Sequence, residues 1–168
     1  MAESEAHWEA AQDGAELLRE GEHEQAVSVL TELIQREPDN EYGYYFLGSA
    51  YYELEQYDRA LKCYVKALEL TPTYVGAMVH AGQTLRMMGR YQEAIRMANQ
   101  VLVRAPDDSD ALFLIGACSF ARGDDAKARS FLERFLQTNP ELEVATEVEG
   151  MLQVIRARDP REALEEDN

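Results

Sequence analysis

Residues 41–74 have the sequence EYGYYFLGSAYYELEQYDRALKCYVKALELTPTY, and this stretch decides the fold. Its first half places residues at the i, i+3, i+4, i+7 spacing of one helix face, namely Tyr44, Leu47, Gly48 and Tyr51. Its second half forms a similar stripe with Ala60, Leu61, Tyr64, Ala67 and Leu68. Pro72 ends the second helix, because a proline pushes the preceding residue out of helical space. The stretch therefore predicts two helices joined by a short turn.

The same unit recurs along the chain with a period of 34 residues. Its register is marked by prolines at Pro38, Pro72, Pro106 and Pro140, and by glycines at Gly14, Gly48, Gly82 and Gly116. It is also marked by alanines at Ala26, Ala60, Ala94 and Ala128. A further glycine series, Gly21, Gly89 and Gly123, is interrupted by Glu55 in the second unit. A fixed period of this size indicates stacked helix pairs, whose backbones approach closely where the residues are small.

These residues resemble the signature of the tetratricopeptide repeat (TPR) family, W-x2-L-G-x2-Y followed by A-x3-F and P. The second unit fits best, and the first fits least, with Asp13 where the signature has a leucine. The resemblance covers roughly residues 7–142. It implies an all-α fold, a right-handed α-solenoid in which the first helices of successive repeats line a concave groove. It also implies a non-catalytic protein that binds other proteins.

The period sets the expected domain boundaries. We predict an N-terminal extension (1–6), four repeats (7–40, 41–74, 75–108 and 109–142), a C-terminal capping helix (143–158) and an acidic disordered tail (159–168). The capping helix is predicted from a single apolar face formed by Val144, Val148, Met151, Leu152 and Ile155. Such a face covers the open end of a repeat stack while polar residues meet water.

The charge balance narrows the choice of partners. The chain has 32 acidic and 16 basic residues among its 168, a net charge of −16. Such a chain gains nothing by displacing counterions from a phosphate backbone, so we expect no nucleic acid partner. The longest apolar run, residues 111–121, is too short to cross a bilayer, and we expect no direct membrane insertion. The N-terminus is acidic, whereas a secretory signal begins with positive charge followed by an apolar stretch. We therefore expect a cytoplasmic location.

The sequence contains no motif of a catalytic or metal site. It has no zinc-spaced cysteine pair, no glycine-rich phosphate loop and no G-x-S-x-G. We therefore expect no catalytic residue, no metal and no cofactor. The carboxylate pairs Asp107-Asp108 and Asp124-Asp125 lie where helices begin, which predicts capping of helix N-termini. His23 falls in a turn between two helices and is expected to be exposed to solvent.

A second apolar stripe on the first helices predicts the binding surface, because a solvent-facing stripe is otherwise polar. The predicted concave groove comprises Trp8, Tyr42, Tyr45, Phe46, Ser49, Tyr52, Val79, His80, Gln83, Met87, Phe113, Leu114 and Phe120. In the first repeat, Ala15 and Leu18 extend the stripe beside Trp8. The alternative is plain packing between repeats, especially for Tyr52 and Phe120, which border turns.

The predicted partner is a protein with an apolar or aromatic segment, with or without flanking Lys or Arg. Residues 1–41 contain twelve acidic and two basic residues, so basic flanks complement this end of the groove. The carboxylate clamp of chaperone-binding TPR domains does not match, since Ala11, Ala15 and Phe46 occupy three of its positions. Two alternatives remain: a holding chaperone similar to class II type III secretion chaperones, or a self-assembling scaffold. We expect a monomer or a weak homo-oligomer.

Overall fold

A computed structural model describes residues 2–159, with side chains from residue 4 onward. This part of the chain contains nine α-helices and no strand, which confirms the predicted all-α class. The helices are α1 (Ala2–Arg19), α2 (His23–Arg36), α3 (Glu41–Glu53), α4 (Tyr57–Leu70), α5 (Val75–Met87), α6 (Tyr91–Arg104), α7 (Ser109–Ala121), α8 (Asp125–Leu136) and α9 (Leu142–Arg158). They form two compact units, one ending at Arg90 and the other beginning at Tyr91.

The helix bounds differ from the expected boundaries at the N-terminus. Helix α1 already begins at Ala2, so residues 2–6 are part of the first helix and not an extension ahead of it. Helix α9 occupies Leu142–Arg158, where the sequence predicts a helix over 143–158. Of the predicted disordered tail, Asp159 is the C-cap of α9, and residues 160–168 lie outside the described residues.

Small residues in the first unit lie where two helices cross closely. A Cβ atom added to Gly48 would lie 2.8 Å from the ring of Tyr64, so α3 and α4 can pack this closely only with glycine. Gly14 faces the side chain of Leu30 in the same way, between α1 and α2. Leu30 and Leu47 belong to one buried apolar cluster. The periodic glycines thus set the spacing of the helices that carry the aromatic residues.

The interrupted glycine series marks the turns inside the repeats. Gly21, Gly89 and Gly123 have φ angles of +80°, +73° and +74°, in the left-handed region that glycine adopts freely. Glu55 occupies the equivalent turn of the second repeat with a φ of +57°. A side chain raises the energy of this conformation, since its Cβ crowds the backbone. This turn of the second repeat therefore carries local strain that glycine avoids in the equivalent turns of the other three.

In the second unit, α7 is buried on nearly all sides. Its buried residues run from Leu114 to Ser119 without interruption, and α7 packs against both α6 and α8. A helix that is apolar all round is stable only when neighbours surround it. Helix α9 adds Val148, Leu152 and Ile155 to the core of this unit, which also contains Leu132. Its apolar face thus covers the side of α8.

Polar side chains cap three of the helices. The amide of Gly43 donates to Asn40 Oδ1 at 2.9 Å, and that of Ala111 donates to Asp108 Oδ1 at 2.9 Å. Asp124 accepts from the amide of Lys127 at 3.3 Å. The capping prediction is confirmed for Asp108 and Asp124. Their neighbours pair with arginines instead: Asp107 lies 3.8 Å from Arg134, and Asp125 lies 3.3 Å from Arg158.

Candidate functional site

The first unit contains an open pocket with a cavity volume of about 780 Å³. Helix α1, the start of α2 and helix α3 supply its walls. Trp8, Tyr45 and Phe46 form its aromatic side, and Ala15 and Leu18 extend the apolar lining. Ligand pockets in proteins typically measure about 300–1,000 Å³, so this one can accommodate a side chain and the backbone beside it.

The aromatic rings of the pocket pack against one another. The ring centroids of Trp8 and Phe46 are 5.7 Å apart, and those of Tyr45 and Phe46 are 5.1 Å apart. Behind these rings, the ring centroids of Tyr42 and Trp8 are 5.3 Å apart, and those of Tyr74 and Tyr45 are 4.9 Å apart. Tilted and edge-to-face pairs at these distances stabilise each other beyond their burial. Trp8 nevertheless remains 43% exposed, so the pocket presents a ring that its neighbours already hold in place.

Polar contacts fix the part of α1 that carries Trp8. The Asn40 amide donates to the carbonyl oxygen of His7 at 3.1 Å, and His7 Nδ1 lies 2.8 Å from a carboxylate oxygen of Glu41. Glu41 is only 8% exposed, and its other carboxylate oxygen lies 3.5 Å from the Ser4 hydroxyl, also on α1. The start of α3 thereby holds α1 at the residue that precedes Trp8.

The rear of the aromatic side contains an ordered hydrogen-bond network. His80 Nδ1 lies 2.9 Å from the carbonyl oxygen of Gly76, which can only accept, so Nδ1 carries a proton. The Tyr45 hydroxyl oxygen, 3.3 Å from the same nitrogen, accepts as well. Burial raises the pKa of Tyr45, and the phenol is therefore neutral at physiological pH. The sequence predicts His80 as a groove residue. In the structure, its Nδ1 positions Tyr45 through this hydrogen bond.

Ser49 lines the pocket, and its hydroxyl proton is already used in a hydrogen bond within the protein. Its hydroxyl donates to the carbonyl oxygen of Tyr45 at 3.2 Å and accepts from the Tyr64 hydroxyl at 3.2 Å. A hydroxyl has one donor and two acceptor lone pairs. The remaining capacity of Ser49 toward the pocket is therefore that of an acceptor.

The polar part of the lining is rich in acceptors. Exposed Glu16 and Glu53 lie at the pocket together with one exposed cation, Arg19. His23 also lines the pocket, and its Nδ1 is buried with no hydrogen-bond partner among the described residues. The expectation that His23 is a solvent-exposed turn residue is therefore wrong. It is the first residue of α2, and its ring is held against the cavity.

Four of the predicted groove residues lie together in this pocket, and the other six in the first unit do not. The four are Trp8, Tyr45, Phe46 and Ser49. Tyr42 and His80 support the aromatic side from behind, while Tyr52 packs on Tyr57 with ring centroids 5.5 Å apart. Gln83 and Met87 lie outside the pocket lining. Val79 is one of the buried residues of α5, 5% exposed, and therefore belongs to the core.

The predicted groove residues of the second unit serve its packing. Leu114 is 1% exposed, which excludes it from an accessible surface. Phe113 lies 5.4 Å from Phe135, and both pack in the core cluster of this unit. Phe120 packs against the same cluster and lies 5.3 Å beneath the Arg158 guanidinium. The stripe on α7 is therefore mostly core, because α7 is surrounded by other helices.

Several pocket residues were not predicted from the sequence. The polar lining comes from Gln12, Glu16, Arg19, His23 and Glu53. These are ordinary surface residues in the sequence, and no local pattern shows that they converge. The half-buried Tyr74 is not predicted either, because it lies in the turn before α5 and not on a first helix.

The described residues contain neither a cluster of metal-ligating side chains nor a helix that could span a membrane. Between residues 2 and 159, no group of three or more His, Cys, Asp or Glu side chains is arranged to hold a metal ion. In the same range, no helix is both long enough and apolar enough to cross a membrane.

Comparison with known proteins identifies relatives that share the repeat. Tetratricopeptide repeat protein 37 from Xenopus laevis is 28% identical over 153 residues, which is 91% of this chain and 10% of that protein. The chain therefore spans about a tenth of this relative. MamA 41-end from Desulfovibrio magneticus RS-1 superposes with a TM-score of 0.81 at 23% identity, over 96% of this chain and 88% of that one.

A third similar structure contains a peptide. The second TPR domain of human RPAP3, in complex with the HSP70 peptide SGPTIEEVD, has a TM-score of 0.64 at 22% identity, over 69% of this chain and 98% of that one. At this identity the two structural likenesses show the fold, which is an all-α TPR solenoid. Residues 6–144 match the family model described as "Cytochrome c-type biogenesis protein H TPR domain". The chain thus belongs to the tetratricopeptide repeat family, as its period and its paired helices predict.

Proposed function

We propose that the chain is a non-catalytic protein-interaction scaffold that holds a segment of a partner protein in the aromatic pocket of its first unit. The observation that carries the proposal is the accessible Trp8 ring, 43% exposed and packed on Phe46 and Tyr42. A rigid aromatic residue that is accessible before binding loses little conformational entropy when it is covered. Residues of this kind dominate binding energy in protein interfaces.

The similar structures are consistent with this role. The RPAP3 domain that resembles this chain was solved in complex with a peptide, so a TPR domain that spans about two thirds of this chain can hold a peptide segment. The pocket residues differ in chemistry from a carboxylate-binding site, since two glutamates and one arginine line the cavity. We therefore propose a different class of segment for this chain, one whose anchor side chain packs on the aromatic rings of the pocket.

Site-specific crosslinking tests the location of binding. A photoreactive p-benzoylphenylalanine replaces Gln12, which is exposed and lines the pocket. The matched control replaces Val65, which is 41% exposed on α4 and outside the pocket lining. We expect the probe at Gln12 to capture a discrete partner and the probe at Val65 to capture little. Equal capture from both positions contradicts the proposal.

The captured species also distinguishes the alternatives. A long apolar client would favour a holding chaperone, and a second copy of the chain would favour a self-assembling scaffold. The partner segment is then titrated against the purified protein, with the fluorescence of Trp8, the single tryptophan of the chain, as the signal. Phe46→Ala should weaken binding by about 1–3 kcal/mol, as truncation of a central anchor does. An unchanged Kd would place the partner elsewhere.

A further inference from the structure

We infer that the pocket of the first unit selects a basic anchor, an arginine side chain of the partner segment, over an apolar one. This inference rests on the proposed function and adds the chemistry of the residue that enters the cavity. It starts from the hydrogen-bonding capacity that the pocket leaves unused.

The unused capacity consists mainly of acceptors. Ser49 has donated its proton to the Tyr45 carbonyl oxygen and can only accept from an occupant. The carboxylates of Glu16 and Glu53 accept at the rim. An occupant that donates hydrogen bonds to these groups is favoured over one that covers them without a hydrogen bond.

The aromatic side suits a cation with a flat, delocalised charge. A guanidinium stacks on indole and phenyl faces, and such cation–π contacts gain strength as they are removed from water. Trp8 and Phe46 offer these rings within one cavity, 5.7 Å apart. Arginine also has five N–H donors and no acceptor, which matches the acceptors of the lining. Its aliphatic stem would cover the apolar side chains of Ala15 and Leu18.

The charges around the pocket favour the same occupant. Glu16 and Glu53 outnumber Arg19 in the lining, and residues 1–41 carry twelve acidic and two basic residues. Residues 160–168 of this chain are a poor alternative occupant, because they contain four acidic residues and only one arginine. A second copy of the chain is disfavoured likewise, because each copy has a net charge of −16. Charge complementarity thus points to a basic segment of another protein.

The test uses short capped peptides that are identical except at the central position. That position is arginine, citrulline, lysine, leucine or glutamate, and the flanking residues are leucine and serine. Citrulline keeps the shape of arginine without its charge. Each peptide is titrated against the full chain with Trp8 fluorescence as the signal. We expect the arginine peptide to bind about tenfold more tightly than the citrulline and leucine peptides, the glutamate peptide most weakly, and lysine in between.

Two variants locate the effect in the pocket. Glu53→Gln and Glu16→Gln should each reduce the preference for arginine over citrulline, whereas the same exchange outside the pocket, Glu32→Gln, should leave it unchanged. All three glutamates are exposed, so the variants retain the fold, which circular dichroism checks. Equal affinity for arginine, citrulline and leucine overturns the basic anchor but leaves segment binding intact. If no peptide and no captured partner alters Trp8 fluorescence, the proposed function fails, and this inference fails with it.

Discussion

The side-chain amide of Asn40 donates a hydrogen bond to the carbonyl oxygen of His7, 3.1 Å away and 33 residues earlier in the chain. The same side chain caps α3 through Gly43. One fully buried residue therefore fixes the beginning of α3 and holds α1 at the position next to Trp8. The geometry of the pocket depends on this link, because α1 and α3 carry its aromatic rings.

Asn40→Ala should lower the free energy of unfolding by about 1–3 kcal/mol, since the cap and the contact to His7 are both lost. Asn40→Ser is the matched control, because serine keeps a capping acceptor and removes the amide that donates to both His7 and Glu37. We expect a smaller loss for Asn40→Ser, together with faster hydrogen exchange in α1. Chemical denaturation and exchange mass spectrometry measure the two effects. Equal stability of Asn40→Ala and the wild type would show that α1 is held by other contacts.

Glu55→Gly should stabilise the chain by about 1 kcal/mol, although it removes a side chain. The left-handed φ of +57° strains any residue with a Cβ, and glycine releases that strain. Gly89→Ala is the converse control: its φ is +73°, and nothing lies within 4 Å of an added Cβ, so only backbone strain acts. It should destabilise by a similar amount. Urea denaturation measures the stability of both variants. If Glu55→Gly is less stable than the wild type, the glutamate side chain stabilises the fold by more free energy than the left-handed backbone costs.

The regular part of the structure follows from the sequence because it repeats. Proline, glycine and alanine at a fixed period mark helix ends and close crossings, and Gly48 against Tyr64 shows why a small residue is required. Tyr45 and Phe46 are predicted as binding residues because α3 carries more aromatic side chains than its core face can bury, and Trp8 because it lies in the equivalent stripe on α1. The convergence of α1 and α3 in one pocket follows from the helix pairing that the period predicts.

The incorrect predictions for the second unit have one physical cause. Leu114 and Phe113 were assigned to the groove by their register on α7, as though this helix had one exposed face. The uninterrupted apolar run of residues 111–121 was the available signal, since such a helix is surrounded. The polar lining of the pocket was missed for another reason. Exposed charges such as Glu16 and Glu53 show no pattern, and only the folded chain brings them together.

Truncations of Leu47, Tyr45 and Phe113 should separate core residues from pocket residues. Leu47→Ala and Phe113→Ala should destabilise their own units by about 2–5 kcal/mol, because each leaves a cavity beside a buried cluster. Tyr45→Ala should reduce partner binding more than the two core variants do once each is measured under folded conditions. Melting curves followed separately in the two units, together with titrations, make the comparison. If Phe113→Ala has normal stability but binds the partner more weakly, α7 is part of the binding surface and not of the core.

The buried Tyr64 makes the first unit sensitive to alkaline pH. Burial raises the pKa of Tyr64 far above the usual value near 10, and it raises the pKa of Cys63 to about 11. A raised pKa in the folded state means that the unfolded chain loses these protons first. The stability contributed by the neutral groups is therefore complete below their unfolded pKa values and falls as the pH rises toward the folded ones. Each group lowers the free energy of unfolding by at most about 1.4 kcal/mol per pH unit in that window.

Tyr64→Phe isolates the contribution of the phenol. At neutral pH it should cost about 1 kcal/mol, since the hydrogen bond to Ser49 is lost. Above pH 10 the variant should lose stability less steeply than the wild type, because its ring has no proton to release on unfolding. Tyr57→Phe, at a half-buried ring outside the pocket lining, is the matched control and should change the alkaline slope less. Urea denaturation at several pH values between 8 and about 11 measures both slopes. Parallel stability profiles for Tyr64→Phe and the wild type would mean that Tyr64 ionises as readily in the folded unit as in the unfolded chain.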